Sequence, residues 1–414
     1  MRVADIELEI GPVAHGGHCV ARYDGRVVFV RHTLPGERVR ARLTEAAPEA
    51  KFWRADAVEV LEASPDRVPS AWPAAGPGGV GGGELAHVAL PAQRAWKAAV
   101  LREQLQRLAR LDVPVEVLAA PGDDERGGLE WRTRIELVAD GSGRAGMRRH
   151  RSHDVVALDE MPLAVPAIAE LDLFGRTFPA GVRIEVVAPA GGDQPIVLVE
   201  GEPFDLRHRR PDLRANARTT VRERVQVGGT IYPFRVAASG FWQVHRAAPE
   251  VLVGAVLAGV GDVVGSTVLD LYSGAGLFAA PLADAVGPSG EVVSVEGDER
   301  AVRDARRNLH DRTNVELHAG DVTRVLTGER DAASDVVHAD VVVLDPPRAG
   351  AGRKVVAATA ALRPERIVYV ACDPAALARD VGLLAEEGYG LESVVGYDLF
   401  PMTHHVEAVA VLTR

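Results

Sequence analysis

The chain has 414 residues, room for two or three domains, and its 47% hydrophobic and 25% charged residues are ordinary for a protein with a substantial core. No apolar run reaches the roughly 18 residues of a membrane span, and the N-terminus lacks the basic-then-apolar pattern of a signal peptide. The two cysteines, Cys19 and Cys372, far apart in sequence, argue against a disulfide framework and for a reducing cytoplasm, and a net charge of −11 confines any nucleic-acid surface to local patches.

Residues 1–62 read as a small all-β unit. Residues 6–10 alternate apolar and polar as a half-buried strand does, and 27–30, 38–43 and 55–61 follow, with turns at Gly16-Gly17 and Pro35-Gly36. Short strands at about ten-residue spacing predict a small barrel, with Cys19 in its core. By their pattern alone, Arg22, Arg26 and Arg31 are solvated strand faces. The run from Gly16-Gly17 through Ala21-Arg22-Tyr23-Asp24-Gly25-Arg26-Val27-Val28-Phe29-Val30-Arg31 to Leu34-Pro35-Gly36-Glu37, however, resembles the TRAM domain, an OB-like RNA-binding module. That resemblance implies that these arginines and Phe29 offer cation and stacking contacts to RNA.

Residues 64–83 form a proline- and glycine-rich connector, read as a loop. Residues 91–110 read as a helix: Pro91 suits its first turn, and Trp96, Val100, Leu101, Leu105 and Leu108 make an apolar stripe. A strand-rich stretch over 112–235 carries two basic clusters. One holds Arg132, Arg134, Arg144, Arg148, Arg149, His150 and Arg151; the other holds Arg207, Arg209, Arg210, Arg214, Arg218, Arg222 and Arg224. In an acidic chain they predict a phosphate-facing stripe, scattered surface arginines being the plainer alternative.

From about residue 241 the pattern turns to regular α/β, with strands at 268–271, 291–295, 315–318, 340–344 and 366–370 and a closing pair at 391–399 and 406–412. Val268-Leu269-Asp270-Leu271 is a buried strand, after which Tyr272-Ser273-Gly274-Ala275-Gly276 turns the chain into an apolar helical run. Glycines let backbone approach a ligand, and helix amides face it. The next strand ends on Glu296, placed to hold ribose hydroxyls. A dinucleotide site wants G-x-G-x-x-G, but Leu277, Phe278 and Ala279 follow Gly276. The missing glycine favours a nucleoside without phosphates, which S-adenosylmethionine is, over a nicotinamide cofactor.

Asp345-Pro346-Pro347-Arg348 makes a rigid turn at another strand tip, because proline forces its predecessor toward extended geometry. Such a turn can grip a base edge. Methyltransferases acting on exocyclic amines carry an aromatic residue where Arg348 stands here. Cys372 follows strand 366–370 and precedes Asp373 and Pro374, the N-cap and first residue of a helix. That position predicts a thiol pKa lowered from about 8.5. The plainer reading is a small buried cysteine; its place at the ligand edge of the sheet favours a nucleophile. Uracil carbon 5 needs one. A thiolate adding to carbon 6 makes carbon 5 an enolate carbon able to take a methyl group, and a base must then remove the carbon 5 proton. Glu407 is the candidate base, with His404 and His405 as rivals and a surface carboxylate as its plainer reading.

In chain order, L-D-L-Y-S-G-A-G, V-L-D-P-P-R, A-C-D-P and F-P-M-T-H-H-V-E resemble the RNA uracil-5-methyltransferase family, over essentially the whole chain. The resemblance implies a multidomain protein: an N-terminal OB-like β-barrel of TRAM type over 1–62, a mixed α+β RNA-binding central domain over 63–240, and a C-terminal α/β Rossmann-like seven-stranded methyltransferase domain over 241–414. The helix at 91–110 would be free to pack on that last domain. The cofactor implied is S-adenosylmethionine. Cys372 would be the nucleophile and Glu407 the proton acceptor. Gln243, Tyr272, Glu296, Asp321 and Asp345, with Gly274 and Gly276, would line the cofactor pocket. The partner implied is tRNA or rRNA, whose target uridine is flipped into the site; a cytoplasmic monomer is the default. A methyltransferase acting on another RNA atom, or an RNA-binding module without activity, are the alternatives.

Several relatives hold an iron–sulfur cluster through four cysteines. The matching places here are Trp72, Val80, Gly83 and Met161, none of which can supply a thiolate, so no cluster is expected. His87 matches the family's histidine after that run.

Overall fold

The alternation at residues 6–10 becomes the first strand of a curled sheet, with Ile6 and Leu8 inward, in a computed structural model that describes residues 5–328 and 338–414. Its strands are β1 (Asp5–Glu9), β2 (Val13–Ala14), β3 (His18–Tyr23), β4 (Arg26–Arg31), β5 (Arg38–Glu45) and β6 (Phe52–Glu62), in the order β1-β5-β6-β4-β3-β2. The two strands the pattern did not announce, β2 and β3, flank Gly16 and Gly17, whose φ values of +100° and +78° suit only glycine well. Cys19 is wholly buried in this core.

The connector leads to α1 (Leu90–Gln104), which continues as one π-helical turn to Ala109. Its stripe serves two cores. Trp96 and Val100 close the barrel, while Leu101 and Leu105 join the apolar layer under the C-terminal sheet. The short strand β7 (Glu116–Ala119) also joins that sheet, pairing parallel to a C-terminal strand.

The central sheet contains β8 (Arg134–Ala139), β9 (Ala145–Arg148), β10 (Val155–Ala157), β11 (Arg183–Val187), β12 (Ile196–Val199), β13 (Glu202–Asp205) and β14 (Arg210–Pro211), with one turn of helix, α2 (Pro166–Ala169). Trp72, Val80 and Met161 meet in its core with Trp131 and Leu137. Gly83 lies against Trp72: a Cβ there would stand 2.9 Å from the indole. The four positions that match cluster cysteines thus build an apolar core around one tryptophan.

A hairpin, β15 (Thr220–Val227) and β16 (Thr230–Ala237), packs Val225, Tyr232, Phe234 and Val236 into the C-terminal core. The α/β unit follows: α3 (Ala248–Val260), β17 (Thr267–Leu271), α4 (Ala279–Val286), β18 (Glu291–Glu296), α5 (Glu299–Asn308), β19 (Val315–Ala319), α6 (Val322–Thr327), β20 (Val341–Leu344), α7 (Gly352–Ala361), β21 (Arg366–Ala371), α8 (Pro374–Glu386), β22 (Gly390–Asp398) and β23 (Glu407–Thr413). The sheet order is β19-β18-β17-β20-β21-β23-β22-β7: the seven strands expected, extended by β7. From β17 the order runs outward in both directions, so β17 and β20 flank the switch point. Ligands of such sheets bind beyond the strand ends there.

Candidate active site

Strand β17 delivers Asp270 into a fully buried place and then ends in strained backbone. Tyr272 has φ +65° and Gly274 +56°, and a Cβ added to Gly274 would meet nothing within 4 Å. The turn therefore opens onto free space. At the tip of β18, Glu296 Oε2 accepts from the Gly274 amide at 2.8 Å and Oε1 from the Asp298 amide at 2.6 Å. Asp345 stands at the tip of β20, its amide donating to Leu271 O at 3.3 Å.

Three carboxyls thus crowd the switch point, and sequence reading named only two of them. Asp270 is 0% exposed, and neither oxygen makes a hydrogen bond of normal geometry. Burial pushes it up to about 8, helped by Asp345 and Glu296, and the Ala279 amide offsets this only in part. Burial pushes Asp345 up to about 7, with Glu296 adding to it. Carboxyls so arranged are short of a cation and of donors. The signal for Asp270 was present in the sequence: an acidic residue inside an otherwise apolar strand. Tyr272 feels Asp321, which caps α6 by accepting from the Arg324 amide at 3.1 Å.

Strand register brings Cys372 and Glu407 to the same end of the sheet. Strands β21 and β23 pair antiparallel from Arg366 opposite Thr413 to Ala371 opposite Ala408, so Cys372, the residue after β21, and Glu407, the first residue of β23, both adjoin the last pair of that ladder, and Glu407 acts on the thiol electrostatically. On its other side Glu407 is paired with Tyr397 of β22. Glu407 is 5% exposed, and burial, then Asp345, raise its pKa well above the ordinary range against the pull of Arg348.

The expectation of a lowered thiol pKa at Cys372 is overturned. Burial first, then Glu407 and Asp345, push the thiol up to about 12, and Arg348 opposes them only partly. The helix end does not help because Asp373 occupies it, its Oδ1 accepting the Ala376 amide at 2.8 Å.

Of the two rival bases, His404 turns away toward Glu84, with Nδ1 3.6 Å from Oε2, and burial lowers His405 to about 3, which leaves it neutral. The loop they share is braced by α1. Gln93 Oε1 accepts the Met402 amide at 2.8 Å, and Met402 holds φ +68°. Gln243 lies in the loop before α3, 9% exposed, and no hydrogen bond or ion pair among the described residues links it to the other candidates. Its neighbour Trp242 packs on Phe234 with ring centroids 5.2 Å apart.

Several arginines of the expected phosphate-facing stripe are spent on partners within the protein. Arg134 is buried, with Nη2 3.3 Å from Glu223, and Arg132 spends its Nε on Arg134 O. Arg144, Arg151, Arg214 and Arg222 pair with Asp159, Glu45, Asp212 and Asp193. On the barrel, Phe29 is flanked by His18 and Phe52, and the exposed aromatic ring is Phe52, with Arg54 over it at 4.9 Å.

A largely parallel sheet with a glycine turn at its switch point and acidic residues at the neighbouring strand tips is the framework of an S-adenosylmethionine-dependent methyltransferase, here with a small β-barrel ahead of it. The family model for tRNA (uracil-5-)-methyltransferase matches residues 210–414, and that for the TRAM domain matches residues 1–58. The chain belongs to the RNA uracil-5-methyltransferase family. It is 45% identical to an uncharacterized RNA methyltransferase of Streptomyces avermitilis, across 99% of this chain and 98% of the relative. To one of Bifidobacterium longum it is 43% identical, across 99% and 96%. A solved structure, the tRNA (uracil-54, C5)-methyltransferase of Pyrococcus abyssi in complex with S-adenosyl-L-homocysteine, shares the fold with a TM-score of 0.69 at 23% identity, covering 99% of this chain and 100% of that one. No helix among the described residues is long and apolar enough to cross a membrane.

Proposed function

We propose that this enzyme methylates carbon 5 of one uridine in a structured RNA, tRNA or rRNA, with Cys372 as nucleophile and Glu407 as proton acceptor. The observation that carries this reading is that Cys372 and Glu407 both adjoin the Ala371–Ala408 pair at the ligand edge of the sheet. A pyrimidine base between them would present carbon 6 to one and the carbon 5 proton to the other. The Pyrococcus abyssi neighbour acts on a tRNA uracil, which favours tRNA of the two substrates.

The residues at the switch point fit S-adenosylmethionine. Asp270, with no hydrogen bond of normal geometry, and its partners Glu296 and Asp345 offer negative charge for a sulfonium and acceptors for ribose hydroxyls, and Gly274 leaves room for the nucleoside. Gly276, Tyr272, Asp321 and Gln243 complete the proposed pocket. When bound, the cofactor supplies the methyl group.

The protein's own steps then follow. Cys372 reacts as the thiolate, its proton released before the addition: Sγ bonds to carbon 6, and the electron pair of the 5,6 double bond moves to carbon 5. Glu407 takes the carbon 5 proton once carbon 5 is methylated; the bond to Sγ breaks, and the thiolate is restored. A buried carboxylate with a raised pKa is a stronger base than an exposed one, which suits Glu407 to that step. Methylation of an exocyclic amine would not need Cys372, and Arg348 stands where such enzymes carry an aromatic.

The test is transfer of labelled methyl to total RNA from cells lacking the enzyme, with nucleoside analysis, for wild type and Cys372→Ala. Label in 5-methyluridine that disappears in the variant is expected. Undiminished label in the variant, or label in another nucleoside, would sink the reading.

A further inference from the structure

The turn between β2 and β3 of the barrel, residues 15–17, lies against the catalytic rim. His15 Nε2 lies 3.3 Å from Asp373 Oδ2, the carboxylate that follows Cys372 in sequence. Gly17 approaches the other side of the site: a Cβ there would stand 3.1 Å from the His404 ring. One turn of the barrel thus touches both segments that bear the proposed reacting groups, Cys372-Asp373 after β21 and His404-His405 before Glu407. Holding the barrel in place does not require these contacts, because Trp96 and Val100 of α1 already pack into its core.

Asp373 divides its two oxygens. Oδ1 caps α8 and Oδ2 faces His15. Its negative charge adds to the burial, Glu407 and Asp345 that disfavour a Cys372 thiolate. A cation held on Oδ2 shields that charge from the sulfur. His15 is suited to be that cation: its hydrogen bond to Asp373 is the largest influence on its pKa and raises it, with Glu103 on α1 acting the same way. Burial opposes this, and His18 on β3 repels it when both are charged.

We propose that His15 is a positioning residue for methyl transfer: docked on Asp373, it brings the β2–β3 turn of the barrel in as one wall of the active site and shields the charge that stands beside Cys372. The proposal rests on Cys372 being the nucleophile. It makes the barrel part of the catalytic apparatus rather than only a handle on RNA.

The experiment uses the full chain, with total RNA from cells lacking the enzyme as methyl acceptor. Wild type, Cys372→Ala, His15→Gln and His15→Lys are compared for kcat and for KM of S-adenosylmethionine between about pH 6 and 9. His15→Gln keeps a hydrogen bond but loses the charge. It is expected to lower kcat about tenfold at neutral pH, as one pK unit of lost thiolate stabilisation would. Its pH profile should move to the alkaline side while KM for the cofactor stays unchanged. His15→Lys, which keeps a charge, should restore kcat. Wild-type kcat and pH profile in His15→Gln, or a His15→Lys enzyme as slow as His15→Gln, would overturn the proposal. If Cys372→Ala retained transfer, the nucleophile assignment would fall and the proposal with it. An inactive Cys372→Ala beside an unaffected His15→Gln would remove the proposal alone.

Discussion

Lys97 Nζ lies 2.5 Å from Asp398 Oδ1, a pair 301 residues apart in sequence and sealed from solvent on both sides. The same ammonium donates to Phe400 O at 2.9 Å. Helix α1 therefore grips the chain where β22 ends and the loop toward Glu407 begins. A desolvated cation is tolerated only with such partners, and burial already lowers the pKa of Lys97.

Lys97→Met strands Asp398 in the core and is expected to cost about 3–5 kcal/mol of stability. The double variant Lys97→Met, Asp398→Leu should recover much of that in urea unfolding, because two apolar side chains replace two charges. It should not recover kcat, since Phe400 O keeps its local donors from Thr403 but loses the tie to α1 that Lys97 provides, and the loop that leads to Glu407 loosens. A double variant with full activity would show that the pair serves stability alone.

None of this was legible in the sequence, where Lys97 is one polar residue in an amphipathic helix and its partner lies far along the chain. The candidate catalytic residues could be proposed from the sequence because their chemistry is local: a thiol after a strand, a proline turn, a carboxylate entering the last strand. Strand β7 was hidden because four residues, Glu-Val-Leu-Ala, carry too little pattern to stand out. Arg132 and Arg134 were misread because a count of charges does not say which guanidinium faces inward toward Glu223. The thiol of Cys372 was misjudged because proximity to a helix end said nothing of the carboxyls around it.

Trp72 is 1% exposed and fills the centre of the apolar core to which Val80 and Met161 contribute. Trp72→Ala should destabilise the protein by about 3–5 kcal/mol, the usual range for emptying an aromatic site in a core. Thermal unfolding with and without S-adenosylmethionine checks this. The loss should persist with the cofactor bound, because the ring touches none of the switch-point carboxyls. A loss below about 1 kcal/mol would mean that the connector collapses into the space without strain.

Asp270 should make stability depend on pH. Its folded pKa is about 8 against an ordinary value of 3.8, so it is raised. The stability it allows is fully present below the unfolded value and is lost as pH rises through the folded one, because the unfolded chain releases a proton the folded chain keeps. Asp345, raised to about 7, acts in the same direction. In cofactor-free protein, Asp270→Asn should therefore be more stable than wild type at pH 8, by an amount that shrinks at up to about 1.4 kcal/mol per pH unit toward pH 4. If Asp270 balances the charge of the bound cofactor, as proposed, affinity for S-adenosylmethionine should fall in the same variant. Urea unfolding at the two pH values, with calorimetric binding, separates these effects; parallel stability curves would show that Asp270 is not the group that titrates.

Glu407→Gln isolates the last chemical step. Glutamine keeps the shape of the side chain beside Tyr397 but cannot accept the carbon 5 proton. Addition of Cys372 Sγ to carbon 6 and methylation at carbon 5 need no base at that position, whereas elimination does. The variant should therefore accumulate a covalent protein–RNA species that survives denaturing electrophoresis and carries labelled methyl, while turnover falls by at least the 10²–10⁴-fold typical of a lost general base. Cys372→Ala should form no such species under the same conditions. If Glu407→Gln turned over normally, proton removal would belong to another group, and Asp345, whose pKa stands at about 7 and whose charge reaches both Cys372 and Glu407, would be the next to test.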